Sequence, residues 1–179
     1  MAAIADSPST ARGGVVRIRG PKLRHCYPAA NAAILSGPSI FSFEPIGDVT
    51  TYVIEIENDE GTVIHRAQSS GAPVTVPAGV LKPGAIYYWE VRGVVPEGEG
   101  PRCGAQFSVL PVEDETRRAA LKAAVRNVGD TDSLALLGEI DRRLGLLREA
   151  REEFAAALAN SGTQDHIRSA LLQIDALIR

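Results

Sequence analysis

The hydrophobic pattern along this chain changes period once, near Pro111. Before it, short runs of β-branched and aromatic residues are separated by Gly, Pro, Asn and Asp. Within Thr51–Glu57, Tyr52, Ile54 and Ile56 alternate with Val53, Glu55 and Glu57, a period of two that turns one row inward and a more polar row outward. The same reading gives strands at Val15–Arg19, Ile40–Pro45, Thr62–Arg66, Pro73–Pro77, Ile86–Val94 and Cys103–Leu110. Asn58-Asp59-Glu60-Gly61 forms a hairpin turn, and the prolines bounding Val74-Thr75-Val76 mark an edge strand. About seven short strands punctuated by turn residues predict an antiparallel β-sandwich.

After Pro111 the period becomes helical. All 11 prolines lie at or before that residue, which places the boundary there, because proline interrupts both sheet ladders and helix interiors. A first helix opens on the acidic Glu113–Thr116 and repeats apolar residues at Ala120, Leu121, Ala124, Val125 and Val128, ending at Gly129. A second, Ser133–Leu144, is capped by Thr131 or Asp132. A third runs Leu147–Ala159. A fourth, from Thr163, places Ile167, Ala170, Leu171, Ile174, Leu177 and Ile178 on one face. The expected class is α+β in two parts: residues 1–13 a flexible N-terminus, 14–112 a seven-stranded antiparallel sandwich, 113–179 a helical segment.

Leu81, Pro83, Gly84 and Tyr87 form a pattern that resembles the tyrosine corner of fibronectin type III domains. Phe41, Phe43 and Pro45 match that family's second strand, with Phe43 in place of the usual Trp, and Tyr52 matches its third-strand tyrosine. The resemblance covers residues 14–112 and implies a sandwich; it implies no chemistry. Apart from the family, Tyr87 on an inward row needs a partner for its hydroxyl, and Trp89 centres the core.

Leu137-Gly138, Gly145, Leu147, Ala150, Phe154 and Ala157 resemble one tetratricopeptide repeat (TPR). Gly138 and Ala150 allow two helices to approach, while Leu137, Leu147 and Phe154 fill between them. Asp141 departs from the family, which has an aromatic there. A shift of 34 residues superimposes Leu137, Ile140, Asp141 and Leu144 on Leu171, Ile174, Asp175 and Ile178. The last helix is then the start of a second repeat. So short an array leans on the sandwich, a partner or another copy.

Charge excludes more than it suggests. The 179 residues carry a formal net charge of −3, and neither half has the one-sided excess that steers a polyanion, so no nucleic-acid partner is expected. Arg12, Arg17, Arg19, Lys22 and Arg24 are a local basic excess, read as the exposed row of the first strand. No window is long and apolar enough to insert in a bilayer, and no signal segment opens the chain. At face value it is cytoplasmic; if it is a processed fragment, it is periplasmic or cell-surface.

Candidate chemistry is sparse. His25, His65 and His166 have no ligand-spaced neighbours, so no metal or other cofactor is expected. Glu152-Glu153 are read as a solvated helix face paired with Arg148 and Arg151, and Glu97 and Glu99 as loop residues. Cys26 and Cys103 are either a disulfide between the first and last strands or two separate buried thiols. With no catalytic residue to name, the expected function is a non-enzymatic interaction, scaffold or accessory module that binds a protein partner or self-associates. That is what both resemblances imply, and their pairing is similar to bacterial periplasmic or cell-surface accessory regions. The candidate partner-binding residues are Tyr88 and Arg92 on the outward row Ile86, Tyr88, Glu90 and Arg92, and Arg142, Arg143 and Arg168 around a groove between the second and fourth helices. The alternative is an extracytoplasmic carbohydrate-binding or enzyme-accessory module stacking sugars on Tyr87, Tyr88 and Trp89, against which stands the opposite facing of Tyr88.

Overall fold

The alternating segments form two stacked sheets in the computed structural model, which describes residues 21–161 and 164–178. The strands are β1 (Arg24–Tyr27), β2 (Ala32–Ile34), β3 (Ser39–Glu44), β4 (Tyr52–Asn58), β5 (Val63–Ser69), β6 (Val74–Val76), β7 (Ile86–Gly93) and β8 (Arg102–Val109). They assemble as a three-stranded sheet β1-β3-β6 and a five-stranded sheet β2-β8-β7-β4-β5. The seven-stranded, wholly antiparallel sandwich is therefore corrected. There are eight described strands, and β2 runs parallel to β8. The expected strand Val15–Arg19 lies outside the described residues. The segment Ala32–Ile34 escapes a period-based reading because three consecutive buried residues show no alternation. Asn31, at φ 61°, tolerates the left-handed conformation as the chain passes from the small sheet to the large one.

The core follows the alternation. Tyr52, Ile54, Ile56, Trp89 and Val91 are buried between the sheets, and the Phe41 ring stands edge-on to Trp89 and Phe107 at 5.2 and 5.5 Å. The Trp89 indole N–H donates to the Pro28 carbonyl at 2.9 Å, and the Tyr87 hydroxyl accepts the Lys82 N–H at 2.9 Å, closing the corner. The thiols are paired. Leu23 runs beside Arg102, after which the chain enters the small sheet and Cys26 is joined to Cys103 of β8, a bridge between sheets spanning 77 residues.

The helices are α1 (Val112–Val128), α2 (Thr131–Arg143), α3 (Leu147–Ser161) and α4 (Asp165–Ile178). Asp130, not Thr131 or Asp132, caps α2. It holds the extended backbone a cap needs, and its carboxylate accepts the Ser133 N–H at 2.7 Å. Between α2 and α3 the Phe154 ring packs on Gly138, where a Cβ would lie 3.1 Å from it. Leu137, Leu147, Ala150, Phe154 and Ala157 are all buried. On α4, Ile167 and Ile174 are inside, but Leu177 is exposed, a correction to the expected face. The helices also share a core with the sandwich. Leu146 is fully buried with Ala33 and Leu110, and the Ala33 N–H donates to the Gly145 carbonyl at 2.9 Å.

Helix α1 is rotated relative to expectation, keeping Val125 buried and Leu121 half-buried. Ala120, Ala124 and Val128 face solvent, Val128 at 65% exposure, while the inward row is Glu115, Arg118, Lys122 and Val125. Ionic partners decide this orientation. Glu115 accepts both the N–H and the hydroxyl of Ser36, in the β2–β3 connection. Arg118 makes a bidentate pair with Asp141, both bonds 2.7 Å, and both side chains are buried. Lys122 reaches Glu153 at 2.5 Å. Alanine gains little from burial, so three ionic contacts outweigh a small-residue stripe.

The solvated face assigned to Glu152-Glu153 is thereby corrected at Glu153, which is buried under Lys122. Arg148 instead stacks 4.0 Å above the Tyr27 ring, and Arg151 pairs with Asp175 on α4 at 2.7 Å. Partners on neighbouring elements displace the expected pairs along α3.

Beside the Arg118–Asp141 pair lies Glu149, with one carboxylate oxygen buried and, among the described residues, without a hydrogen-bond partner. Burial pushes its carboxyl above the ordinary glutamate value, against the lowering effects of its own backbone N–H and of Arg118.

Three outcomes follow for stability. Replacing both cysteines by alanine frees the unfolded chain of a long cross-link and lowers stability by about 3 kcal/mol. That is a Tm lower by roughly 10 °C in calorimetry, and dithiothreitol shifts the wild type alike while leaving the variant unmoved. Asp141→Ala strands a buried guanidinium and costs about 3–5 kcal/mol in urea titration, most of it recovered in Arg118→Met/Asp141→Leu. Because the folded-state pKa of Glu149 is raised, its favourable contribution is fully present below the unfolded value and is lost as pH rises through the folded one. Glu149→Gln therefore flattens the fall in Tm as pH rises above the ordinary glutamate range.

Candidate functional site

The inward row of β7 (Tyr87, Trp89, Val91) faces the small sheet, so its outward row faces water on the far side of the five-stranded sheet. Ile86 and Tyr88 are 44% and 43% exposed there, and Arg92 is exposed. Cross-strand register builds the surround. Tyr88 stands opposite Glu57 and Gln106, Glu90 opposite Glu55 and Gly104, and Arg92 opposite Val53 and Arg102. Gly104 is required by close approach, since a Cβ there would lie 2.2 Å from the Trp89 carbonyl oxygen.

Charges on this face are laid out in a ladder. Arg66 lies 3.2 Å from Glu55, and Arg102 contacts Glu99 at 2.7 Å and Glu90 at 4.0 Å. Burial raises the Glu90 carboxyl above its ordinary value, Arg102 and Arg92 oppose the rise, and the carboxylates of Glu55 and Glu57 add to it. The arrangement offers an aromatic ring and a branched aliphatic side chain framed by both signs of charge.

Arg142 and Arg143 are already engaged. Glu139 accepts two bonds from Arg142, at 2.7 and 2.8 Å, and one from Arg143 at 2.9 Å, and these arginines hold its carboxyl down to about 2. Arg168 is exposed on α4. Helices α2 and α4 each pack on α3. The structure thus puts Tyr88 and Arg92 on one strand face and Arg142 and Arg143 in one intrahelical cluster, without assembling all five residues into a single site. Of the three neighbouring aromatics, Tyr87 and Trp89 are buried and Tyr88 alone is outward.

Two crevices escaped the sequence reading. One, of about 330 Å³, opens where sandwich meets helices and is lined by Tyr27, Ser42, Arg148, Arg151, Glu152 and Ile178. Burial, with Glu149 and Glu152 nearby, pushes the Tyr27 hydroxyl far above the usual tyrosine value. The other, of about 190 Å³, lies along α1 and α2 between Asp114, Arg117, Arg118, Leu121, Ile140 and Leu144. The regular recurrence of Leu121, Ile140 and Leu144 on helical faces was a usable signal for the second; nothing local signalled the first. His25 lies 3.5 Å from Glu44, and His65 and His166 sit on β5 and α4. Among the described residues no three His, Cys, Asp or Glu side chains are grouped as a metal ion requires, and no helix is long and apolar enough to cross a membrane.

No protein-family model matches the chain, and no curated protein matches it. Among solved structures, CopC from Methylosinus trichosporium OB3b is 17% identical, aligned over 52% of this chain and 96% of its own at a TM-score of 0.40. The fn3 domain of the human collagen alpha-1(XX) chain is 19% identical over 54% of this chain and 93% of its own, also at 0.40. A β-glucuronidase from Ruminococcus gnavus is 8% identical over 49% of this chain and 16% of its own, at 0.34. Likenesses at this level carry no argument about function. The fibronectin type III-like character of the β part rests on its two stacked sheets and the hydrogen-bonded corner at Tyr87.

Proposed function

We propose that this chain is a non-enzymatic interaction or accessory module, a fibronectin type III-like sandwich carrying a TPR-like helical array, that docks a protein partner on the open face of its five-stranded sheet. The observation that carries the reading is Tyr88 with Ile86, each more than two-fifths exposed in mid-sheet and followed by Arg92 on the same row. Tyrosine brings large contact area at small conformational cost, and arginine brings five donors, which is why both recur at the centre of interfaces. Arg142 and Arg143, satisfied by Glu139, are weaker donors to a partner; Arg168 keeps its place as a candidate contact on α4.

The close approach at Gly138 and Phe154 and the recurrence of an Arg–Asp pair between successive helices support the repeat-like reading of the helical part. The Cys26–Cys103 bridge supports an oxidising compartment, periplasmic or extracellular. Sugar stacking has less support, because only one of its three aromatics faces out.

The test is affinity capture with the wild type and with Tyr88→Ala and Arg92→Glu. The expected result is one stoichiometric protein, retained by the wild type and held at least about tenfold more weakly by each variant, at unchanged Tm. A partner that binds both variants as it binds the wild type overturns this assignment of the surface. Oligosaccharides that shift the Tyr88 ring resonances, with no protein captured, overturn it in favour of sugar binding.

A further inference from the structure

The helical part repeats its own construction. A shift of 33 or 34 residues carries the Arg118–Asp141 pair, α1 to α2, onto the Arg151–Asp175 pair, α3 to α4, each with a 2.7 Å contact. The same shift sets Leu147, Ala150, Phe154 and Ala157 of α3 against Asp114, Arg117, Leu121 and Ala124 of α1, and Ile174 of α4 against Ile140 of α2. In the second pair of helices every one of these positions is buried. In the first pair Arg117 and Ala124 are exposed, Leu121 and Ile140 are only half-buried, and a crevice of about 190 Å³ opens among them. One seam is closed and its counterpart is open.

What closes the α3–α4 seam is visible. Helix α2 lies on it, with Gly138 against Phe154 and with Leu134 and Ala135 in the same apolar cluster, helped by Ala29 and Ala32 of the sandwich. The counterpart of α2 under the shift is α4. The α4 residues equivalent to Leu134 and Gly138 are Arg168 and Leu172, both exposed, Leu172 at 62%. Each chain therefore has an open seam of the kind α2 fills, and a helix of the kind that fills it with that side bare.

We propose that α4 of a second copy lies in the α1–α2 seam, so that copies join head to tail. Side-chain size supports the match. Inside the chain the closest position pairs glycine with phenylalanine; across copies the equivalent position pairs Leu172 with Leu121, a reciprocal change that keeps the gap filled. The two surfaces differ, so the contact is heterologous and builds rings or open arrays instead of stopping at a symmetric pair. No residue of this contact belongs to the β7 face, so the two surfaces are separate.

Sedimentation velocity of the full chain from micromolar to several hundred micromolar tests it. The expected result is a mass that climbs past the dimer with concentration. Leu172→Glu, Leu121→Glu and Ala124→Glu, at an exposed position, each return the chain to monomer at unchanged Tm. Leu121→Glu keeps a sound α4 and Leu172→Glu keeps a sound seam, so their equimolar mixture forms a 1:1 dimer and nothing larger. If Leu121→Glu lowers Tm, Ala124→Glu takes its place in the mixture. A wild type that stays monomeric throughout, or that stops at a dimer the mixed variants cannot form, overturns the proposal.

Discussion

Leu146 joins the two parts of this molecule. It is wholly buried between Ala33 of β2 and Leu110 just after β8, and directly follows Gly145, whose φ of 79° lets the α2–α3 turn come close enough to accept the Ala33 N–H. The contact depends on β2. By running parallel to β8 at the sheet edge, those three residues place Ala33 where the turn arrives. Only Leu110 and Pro111 lie between β8 and α1, so no linker separates sheet from helix. Four helices too few for an independent array thus borrow their apolar cover from the sandwich, with Ala29 and Ala32 on one side and Ile178 reaching the sheet core on the other.

Given that anchorage, α1 is held by charge where its neighbours are held by packing. A buried bidentate Arg–Asp pair adds little net stability compared with well-packed hydrophobic side chains. It does fix direction. Arg118 satisfies Asp141 only when α1 lies in one rotation and one axial position, and Lys122 to Glu153 and Glu115 to Ser36 repeat the demand seven residues apart. Helix α1 has one place to sit.

Legibility divides along the same line. Tyr87 and its corner, the inward Trp89, the outward Tyr88 and Arg92, the hairpin at Asn58 and the approach at Gly138 depend on residues close in sequence, or on the rule that side chains alternate along a strand. All of these were readable. Strand β2 was not, because its existence is a pairing with β8 some 75 positions away. The rotation of α1 was not, because an apolar count credits alanine stripes and cannot see that Arg118 has an acceptor 23 residues on. The pairing of the α2 arginines was within reach of the sequence: Glu139 stands three and four positions from Arg142 and Arg143, the spacing of ion pairs along a helix. Both readings of Cys26 and Cys103 stayed open until the crossing from one sheet to the other brought their Cα atoms to 6.5 Å.

The sulfur bridge also sets how this molecule carries tension. A pull applied at residue 21 and at α1 travels five residues to Cys26, crosses to Cys103, and leaves along β8 through Leu110. Strands β2 to β7 lie in the loop between the two cysteines, off the covalent path of the load. The oxidised sandwich therefore acts as an inextensible coupling, while the reduced one can pay out the whole length of that loop.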